Sequence, residues 1–241
     1  MKNDPKHFIA EFSHKEKLAK NTYSFYFFKK KLDLNFIPGQ YLRMSLNINK
    51  PDVRGSSRYF TISSSPRNLE YLVFTTKIIK SSFKKRMFSL KKGEQVDFFG
   101  PVGYFDFNEK SNNQKIFLAG GIGITPFHSI LQTIKDNKKI PNIILFSSFS
   151  TKEEVIFYDE LKVIEKENSN IRVVYMLTRK SLNGFEKGGI SEKLIRKYAP
   201  DYLKSEFFIV GSPSFEEQIF TLVKEMGIPE ERIFKENFSG Y

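Results

Sequence analysis

The sequence contains no cysteine, and this absence excludes several kinds of chemistry from the chain. Without thiols there can be no disulfide, no cysteine nucleophile, no thiolate zinc site and no cysteine-held iron–sulfur cluster. Histidine is scarce too, because His7, His14 and His128 are the only three and are widely scattered. We expect these three to be surface or packing residues, and we predict no metal site.

Long apolar runs are also missing. No run approaches the roughly 20 residues that a membrane-spanning helix needs, and the segment Met1–Lys6 lacks the apolar core of a signal peptide. We therefore expect a cytoplasmic protein with no membrane span. The chain has 241 residues, of which 40% are hydrophobic, which is enough for two modest globular domains.

Acidic residues are outnumbered, with 27 Asp and Glu against 39 Lys and Arg, for a net charge of +12. A basic surface attracts acidic partners, either nucleic acid or an acidic electron-carrier protein. Much of the excess is dispersed, however, as at 29–31, 84–86 and 138–139. A solvated surface explains such residues equally well, so both interpretations stay open at this point.

The segment Leu118–Pro126, with three glycines in four residues, is the feature around which the second half is organised. It follows an apolar run, Lys115–Ala119, that predicts a buried β-strand, and it precedes a helical pattern of apolar residues. Glycines let the backbone turn sharply and approach a ligand closely, and Pro126 suits the first position of a helix. Strand, loop and helix N-terminus together suit a dinucleotide diphosphate, although a tight turn without a ligand fits the loop taken alone.

The two halves of the chain differ in period. Short alternating runs at 7–12, 22–27, 41–45 and 69–74 predict a small antiparallel barrel, with one helix near 81–90 capped by Ser82. After a polar linker, strands predicted at 115–119, 142–147, 171–177, 207–210 and 232–235 alternate with helical patterns, which indicates a parallel sheet covered by helices. The segments that begin at Thr151 and Ser214 have the form of capping boxes. We place the domains at 1–110 and 111–241.

The segment Arg58-Tyr59-Phe60-Thr61 combines an arginine, aromatic rings and a hydroxyl along one predicted strand. An arginine suits a phosphate, a flat ring can stack on a flavin, and a hydroxyl can bond a ring nitrogen. In an extended strand Arg58 and Phe60 share one face, and Thr61 lies on the other unless the strand twists. Taken alone, the segment fits an ordinary strand just as well.

Four motifs in one order change this interpretation: Phe36–Tyr41, Arg58–Thr61, Gly100–Phe105 and Gly120–Pro126, continued by Val210–Pro213 and Glu236–Phe238. Their order and spacing resemble those of the ferredoxin–NADP⁺ reductase superfamily of flavoproteins over nearly the whole chain. The resemblance implies a six-stranded antiparallel β-barrel that binds FAD, followed by an α/β parallel-sheet domain that binds NAD(P)H.

The resemblance also assigns residues. Thr61 would lie near flavin N5 and Glu236 would move a proton. The remaining FAD-binding residues would be Arg58, Tyr59, Phe60, Thr75, Thr76, Lys77, Ser81, Ser82 and Phe238, with Tyr241 as an alternative to Phe238. Lys84 would either add charge near the diphosphate or be solvated. The NAD(P)H-binding residues would be Gly121, Gly123, Thr125, Thr178, Arg179, Gly211 and Ser212.

The implied function is an NAD(P)H-dependent FAD oxidoreductase, acting as a monomer, that passes electrons to a separate acceptor. We favour NADPH because Thr178-Arg179 falls where relatives bind the 2′-phosphate, although NADH is possible. The basic charge favours an acidic ferredoxin- or flavodoxin-like carrier; small acceptors such as free flavin, ferric iron or quinone are the alternative. A basic binding module without redox chemistry is a remote alternative, and we expect no nucleic-acid partner. Val210 stands where many relatives have cysteine, so no cysteine assists hydride transfer here.

Overall fold

The computed structural model describes residues 4–30, 32–103, 107 and 113–237. These residues form two compact units. The first contains the described residues up to 103 together with His128–Thr133, and the second contains 107, 113–127 and 134–237. None of the helices in these ranges is both long and apolar enough to cross a bilayer.

The first unit is built on a six-stranded antiparallel sheet. Its strands are β1 (Lys6–Ala19), β2 (Thr22–Phe28), β3 (Tyr41–Ser45), β4 (Ser57–Thr61), β5 (Tyr71–Lys77) and β6 (Gln95–Val102). They hydrogen-bond in the order β4-β3-β6-β1-β2-β5. Just beyond β4, the N–H of Ser63 donates to the carbonyl of Val73 in β5 at 2.9 Å. The two edge strands thus come together as in a barrel, and the antiparallel architecture expected from the sequence is confirmed.

Phenylalanine rings fill the core of this unit. Phe27 lies edge-on to Phe74 and Phe98 at centroid distances of 5.8 and 5.1 Å, and Phe74 stacks on Phe98 at 5.3 Å. All three rings are fully buried, and such offset and edge-to-face pairs add to the stabilisation from area burial. The sheet that carries the candidate flavin residues is therefore rigidly supported from within.

Helix α1 (Ser82–Phe88) lies between β5 and β6, and it begins one residue earlier than a cap at Ser82 would allow. The N-cap is Ser81, whose Oγ accepts a hydrogen bond from the N–H of Lys84 at 3.1 Å. The hydroxyl of Ser82 instead accepts from the N–H of Asp52 at 2.9 Å. Two adjacent serines give no local signal for which one caps, and the loop contact with Asp52 decides it.

The second unit is a six-stranded parallel sheet flanked by helices, as predicted. Its strands are β7 (Lys115–Gly120), β8 (Ile143–Phe149), β9 (Ile171–Leu177), β10 (Glu186–Lys187), β11 (Glu206–Gly211) and β12 (Ile233–Asn237), in the order β10-β9-β8-β7-β11-β12. The helices that follow β7 in the chain are α2 (Thr125–Ile134), α3 (Tyr158–Glu167), α4 (Glu192–Tyr198) and α5 (Pro213–Glu225), and residues His128–Thr133 of α2 belong to the first unit. The central strands β7, β8 and β11 are buried along nearly their whole length and are mostly apolar, because both faces of the sheet are covered.

Two predicted helix starts were wrong. Helix α5 is capped by Ser212, whose Oγ accepts from the N–H of Phe215, and not by Ser214. Pro213 occupies the first turn, where its fixed φ starts the helix before Ser214 is reached. The segment after Thr151 forms only a 3₁₀ turn, Lys152–Glu154, and α3 begins later, after Phe157 in a left-handed conformation.

Candidate functional site

Arg58 in β4 organises the loop that precedes its own strand. Its Nη1 donates to the carbonyl oxygens of Arg54, Gly55 and Ser57 at 2.6, 3.1 and 2.6 Å, and its Nη2 donates to Asp52 Oδ1 at 2.9 Å. The side chain is only 7% exposed. Although desolvation opposes it, hydrogen bonds from the Arg54 N–H and from Ser82, together with the charge of Arg58, hold the pKa of Asp52 below its usual value. The buried guanidinium of Arg58 thus forms an ion pair with the carboxylate of Asp52.

The two aromatic residues of this strand point in opposite directions. Phe60 is buried, with its ring stacked on that of Phe83 at 5.8 Å and edge-on to that of Phe74 at 6.2 Å. Tyr59 is 53% exposed and meets the ring of Tyr41 edge-on at 5.4 Å. Arg58 and Phe60 share one face, as the strand period predicts.

Thr61 is buried although it follows Phe60 directly. The four residues after it, 62–65, are also buried, so both faces of the chain are covered here. Its Oγ1 has no hydrogen-bond partner among the described residues. A buried hydroxyl without a partner is unfavourable by about 1–3 kcal/mol, so Thr61 Oγ1 is suited to a polar group of a ligand.

Neighbouring hydroxyls hold this strand end in place. Thr75 Oγ1 lies 2.7 Å from Ser24 Oγ and 3.0 Å from Ser63 Oγ, and all three groups are buried. Within the same unit, His128 Nδ1–H donates to the Ser63 carbonyl at 2.8 Å, and Ser129 Oγ donates to the Ser64 carbonyl at 2.7 Å. The position of Thr61 is therefore fixed from both sides of the chain.

Lys84 in α1 is a buried cation and is only 4% exposed. Its Nζ donates to Thr76 Oγ1 and lies 4.4 Å from the centroid of the Phe60 ring. Burial, reinforced by the nearby charges of Arg58 and Arg54, lowers the pKa of Lys84 to about 7. The sequence left open whether this lysine is solvated, and the structure shows that it is not.

In the second unit, parallel strands bring the other candidate residues to one edge. The glycine loop follows β7, Thr178 and Arg179 follow β9, and Ser212 follows β11. Beyond β7 the chain runs through β8 to β9 on one side, whereas β11 and β12 lie on the other side. The crevice outside such a reversal of strand order is where open α/β sheets bind nucleotides.

The glycine loop forms a 3₁₀ turn, Gly121–Ile124, before α2. A Cβ at Gly123 would lie 2.3 Å from the carbonyl oxygen of Val210, so only glycine allows this loop to pack on the end of β11. Gly121 has a φ of +55° and open space where a Cβ would be. Thr125 Oγ1 donates to the Ile122 carbonyl at 3.1 Å. Gly123 thus sets the shape of the loop, and Gly121 leaves its backbone accessible.

Phe215 of α5 explains two further glycines. Its ring lies 2.7 Å from the position of a Cβ at Gly120 and 2.4 Å from that at Gly211. Neither glycine can be replaced without moving this ring. The ends of β7 and β11 are therefore held by a shared aromatic contact beside the crevice.

Thr178 and Arg179 extend from β9 as an exposed pair. Their backbone N–H groups donate to the carbonyls of Phe149 and Ser150 at 2.9 and 3.1 Å. No carboxylate of the described residues forms an ion pair with Arg179, and the segment 178–185 contains no acidic residue. The backbone is fixed while the guanidinium is free to bind an anion.

Glu236 lies in β12 opposite Val210, at the same edge of the sheet. Its Oε2 is buried and has no hydrogen-bond partner among the described residues. Burial raises the pKa of Glu236 to about 7, because the charged form loses hydration. This carboxyl can therefore exchange a proton near neutral pH.

Residues 10–107 match the family model of the oxidoreductase FAD-binding domain, and residues 117–220 match that of the oxidoreductase NAD-binding domain. The chain belongs to the ferredoxin–NADP⁺ reductase superfamily. Its two domains are those of an NAD(P)H-dependent FAD oxidoreductase.

Similarity to individual members of the superfamily is moderate. The glycine betaine monooxygenase reductase subunit of Pseudomonas aeruginosa is 26% identical over 209 residues, which cover 84% of this chain and 56% of that protein. The chain thus spans little more than half the length of this relative. Two solved structures share the fold. The Amycolatopsis cytochrome P450 reductase GcoB has a TM-score of 0.84 at 17% identity over 97% of this chain and 70% of that one. Ferredoxin–NADP⁺ reductase from Plasmodium falciparum has a TM-score of 0.77 at 20% identity over 96% of both chains.

The described residues fit the cofactors that these domains imply. An unpartnered hydroxyl at Thr61, cations at Arg58 and Lys84, and an open glycine backbone at Gly121 suit a flavin and two diphosphates. The individual contacts of Tyr59, Phe60, Thr75, Thr76, Lys77, Ser81 and Ser82 with FAD stay predictions, as do those of Gly211 and Ser212 with NAD(P)H. Phe238 and Tyr241 lie outside the described residues.

We predict that Gly123→Ala is destabilising, because its methyl group would overlap the backbone of Val210. The expected loss is about 1–3 kcal/mol in the free energy of unfolding, measured from urea unfolding curves. Gly189→Ala is the matched control, since a Cβ there meets nothing within 4 Å. Equal midpoints for the two variants would contradict the close approach of loop and strand.

Proposed function

We propose that this protein takes a hydride from NADPH onto FAD and delivers the electrons to a separate, acidic electron-carrier protein. The observation that carries the proposal is the buried hydroxyl of Thr61, which has no partner among the described residues, in a domain that also buries the cations Arg58 and Lys84. Bound FAD would supply the redox chemistry, since it accepts a hydride and releases electrons. The residues of this chain bind, orient and exchange protons.

In the first unit, Arg58 would bind the FAD diphosphate with its planar fork of donors. Thr61 would donate its hydroxyl to the flavin ring near N5, which satisfies the one hydrogen bond this buried group lacks. Thr75, bonded to Ser24 and Ser63, keeps the strands beside Thr61 fixed. The closely packed core behind these strands keeps their side chains in fixed positions.

In the second unit, Arg179 supports NADPH over NADH. The 2′-phosphate of NADPH needs a cation, whereas an acidic residue at this place binds the ribose hydroxyls of NADH. The segment after β9 offers an exposed arginine and no carboxylate. Thr178 would add a hydroxyl donor next to it.

The proposed acceptor rests on charge and on the comparisons. A net charge of +12 favours an acidic partner by electrostatic attraction. The Pseudomonas relative is a reductase subunit and the Amycolatopsis protein is a cytochrome P450 reductase. Both names describe proteins that reduce something else, and we propose the same for this chain.

Glu236 would accept a proton on Oε2 during the oxidation half of the cycle. Its raised pKa makes the carboxylate basic enough to take a proton at neutral pH and acidic enough to release it.

The first test is the visible spectrum of the purified protein during anaerobic addition of NADPH and then NADH. We expect a flavin spectrum that NADPH bleaches at lower concentration than NADH. Arg179→Gln should weaken NADPH at least tenfold, because it removes a charge-assisted phosphate contact, and should leave NADH unchanged. Lys180→Gln is the control on the neighbouring exposed cation. A colourless protein would refute the proposed function, and an unaltered preference in Arg179→Gln would refute the role of Arg179.

Thr61→Val separates a functional hydroxyl from a structural one. Because Oγ1 has no partner in the described residues, the variant should unfold at the same or a slightly higher urea concentration. It should nevertheless reduce flavin at least ~10-fold more slowly, the factor that about 1.4 kcal/mol represents, in stopped-flow experiments. Thr75→Val, whose hydroxyl is bonded, should instead lose about 1–3 kcal/mol of stability. An unchanged reduction rate in Thr61→Val would remove Thr61 from the site.

Glu236→Gln tests the proton step through its pH dependence. Since the ionised carboxylate is the base, the steady-state rate with a one-electron acceptor such as ferricyanide should rise with pH up to about 7 and then level off. In Glu236→Gln the plateau should be roughly ten- to a hundredfold lower and the pH step should vanish. Glu216→Gln is the control, since it also removes a buried carboxylate of the second unit. A wild-type pH profile in Glu236→Gln would assign the proton to another group.

A further inference from the structure

We propose that Lys84 is a flavin-binding residue whose buried ammonium neutralises a phosphate of FAD, so that FAD binds together with a proton. This inference rests on the proposed function, because it specifies the charge that holds the same cofactor. The proposal gives a reason for the burial of Lys84, which the contacts of the other site residues do not explain.

The ammonium of Lys84 has few hydrogen-bond acceptors in its buried position. An ammonium has three N–H donors, and in the described residues only Thr76 Oγ1 accepts one from Lys84. The aromatic face of Phe60, 4.4 Å away, supplies the remaining stabilisation. Charged side chains are almost never buried so completely without a partner of opposite charge. Lys84 therefore lacks acceptors that an anion would supply.

Positive charges outnumber negative charges among the described residues around Lys84. Lys84 is accompanied by two guanidiniums, Arg58 and Arg54, both of which oppose its protonation. The carboxylate of Asp52 is paired with these two guanidiniums, which approach it at 2.9 Å (Arg58) and 3.7 Å (Arg54). Strand β5 contributes the uncharged Thr76, and strand β4 contributes Phe60. With Lys84 protonated, the three cations and one carboxylate have a surplus of two positive charges, which would match one charge on each phosphate of a dinucleotide diphosphate.

The protonation state of Lys84 should change when a phosphate binds beside it. In the FAD-free protein, burial lowers the pKa of Lys84 to about 7, so the amine is mostly neutral at pH 8. A phosphate placed beside it favours the charged form and raises that pKa again. Binding of FAD above pH 7 is then accompanied by the uptake of a proton from solution by Lys84 Nζ. No covalent bond is formed or broken.

The test is calorimetry of FAD binding to the FAD-free protein at about pH 8, in buffers of different ionisation enthalpy. The dependence of the binding enthalpy on the buffer gives the number of protons taken up. We expect the wild type to take up nearly one proton, and less as the pH is lowered to about 6. Lys84→Arg, which stays charged, should bind FAD without proton uptake. Lys84→Met should take up no proton and bind FAD roughly 10-fold or more weakly.

Lys85→Met is the matched control, because it removes an exposed lysine from the same helix and should behave as the wild type. The wild-type measurement alone keeps the proposal testable if Lys84→Met does not fold. Binding of FAD to the wild type without proton uptake, or unchanged affinity in Lys84→Met, would overturn the proposal and leave the proposed function intact. No FAD binding by the wild type would instead refute the proposed function, and this inference with it.

Discussion

The first unit depends on how it accommodates positive charge that burial has removed from water. Arg58 is stable in the interior because four acceptors surround its guanidinium, three of them carbonyl oxygens of its own loop. The same contacts fold the segment 52–57 into a fixed shape before β4 begins. Among the described residues, Lys84 has no such set of acceptors and contacts only the hydroxyl of Thr76 and the ring of Phe60 with its ammonium. An anionic ligand would supply the negative charge that the described residues around Lys84 lack.

The second unit meets a different constraint, which is close packing at the ends of strands. Parallel strands must all end at one edge, so residues far apart in the sequence become neighbours there. Gly123 can sit against the Val210 carbonyl only because it has no side chain, and Phe215 fills the space that two other glycines leave. At the other edge of the sheet, the buried ion pair Lys115–Glu206, at 2.5 Å, joins the first residues of β7 and β11, which are paired in register. Both ends of these two strands are thus fixed, and the loop between β7 and α2 is held in one shape.

Much of this could be predicted from the sequence because the signals are local. A two-residue period marks the strands of the first half, continuous apolar runs mark those of the second, and three glycines mark the loop. The helix expected after Thr151 was wrong because Lys152–Glu154 forms only a 3₁₀ turn and α3 begins at Tyr158. Two other wrong predictions involve choices between neighbouring residues. Ser212 rather than Ser214 caps α5 because Pro213 begins the helix, and Ser81 rather than Ser82 caps α1 because Ser82 bonds the loop at Asp52. The burial of Lys84 and the unpartnered hydroxyl of Thr61 had no local signal, since both depend on how separate strands pack around them.

Burial shifts the pKa values of two titratable groups, one in each unit, in opposite directions. It raises the pKa of the acid Glu236 and lowers that of the base Lys84, and both reach about 7. For Glu236 the folded pKa is the higher one, so the stability it contributes is present below about pH 4.5 and lost as pH rises to 7. For Lys84 the folded pKa is the lower one, so its contribution increases from pH 7 to above 10. The ligand-free chain is therefore least favoured by these groups at neutral pH. On the proposal made above, a ligand that favours the charged form of Lys84 would remove the second of these two penalties, so that binding of the cofactor and stability of the fold would be thermodynamically linked.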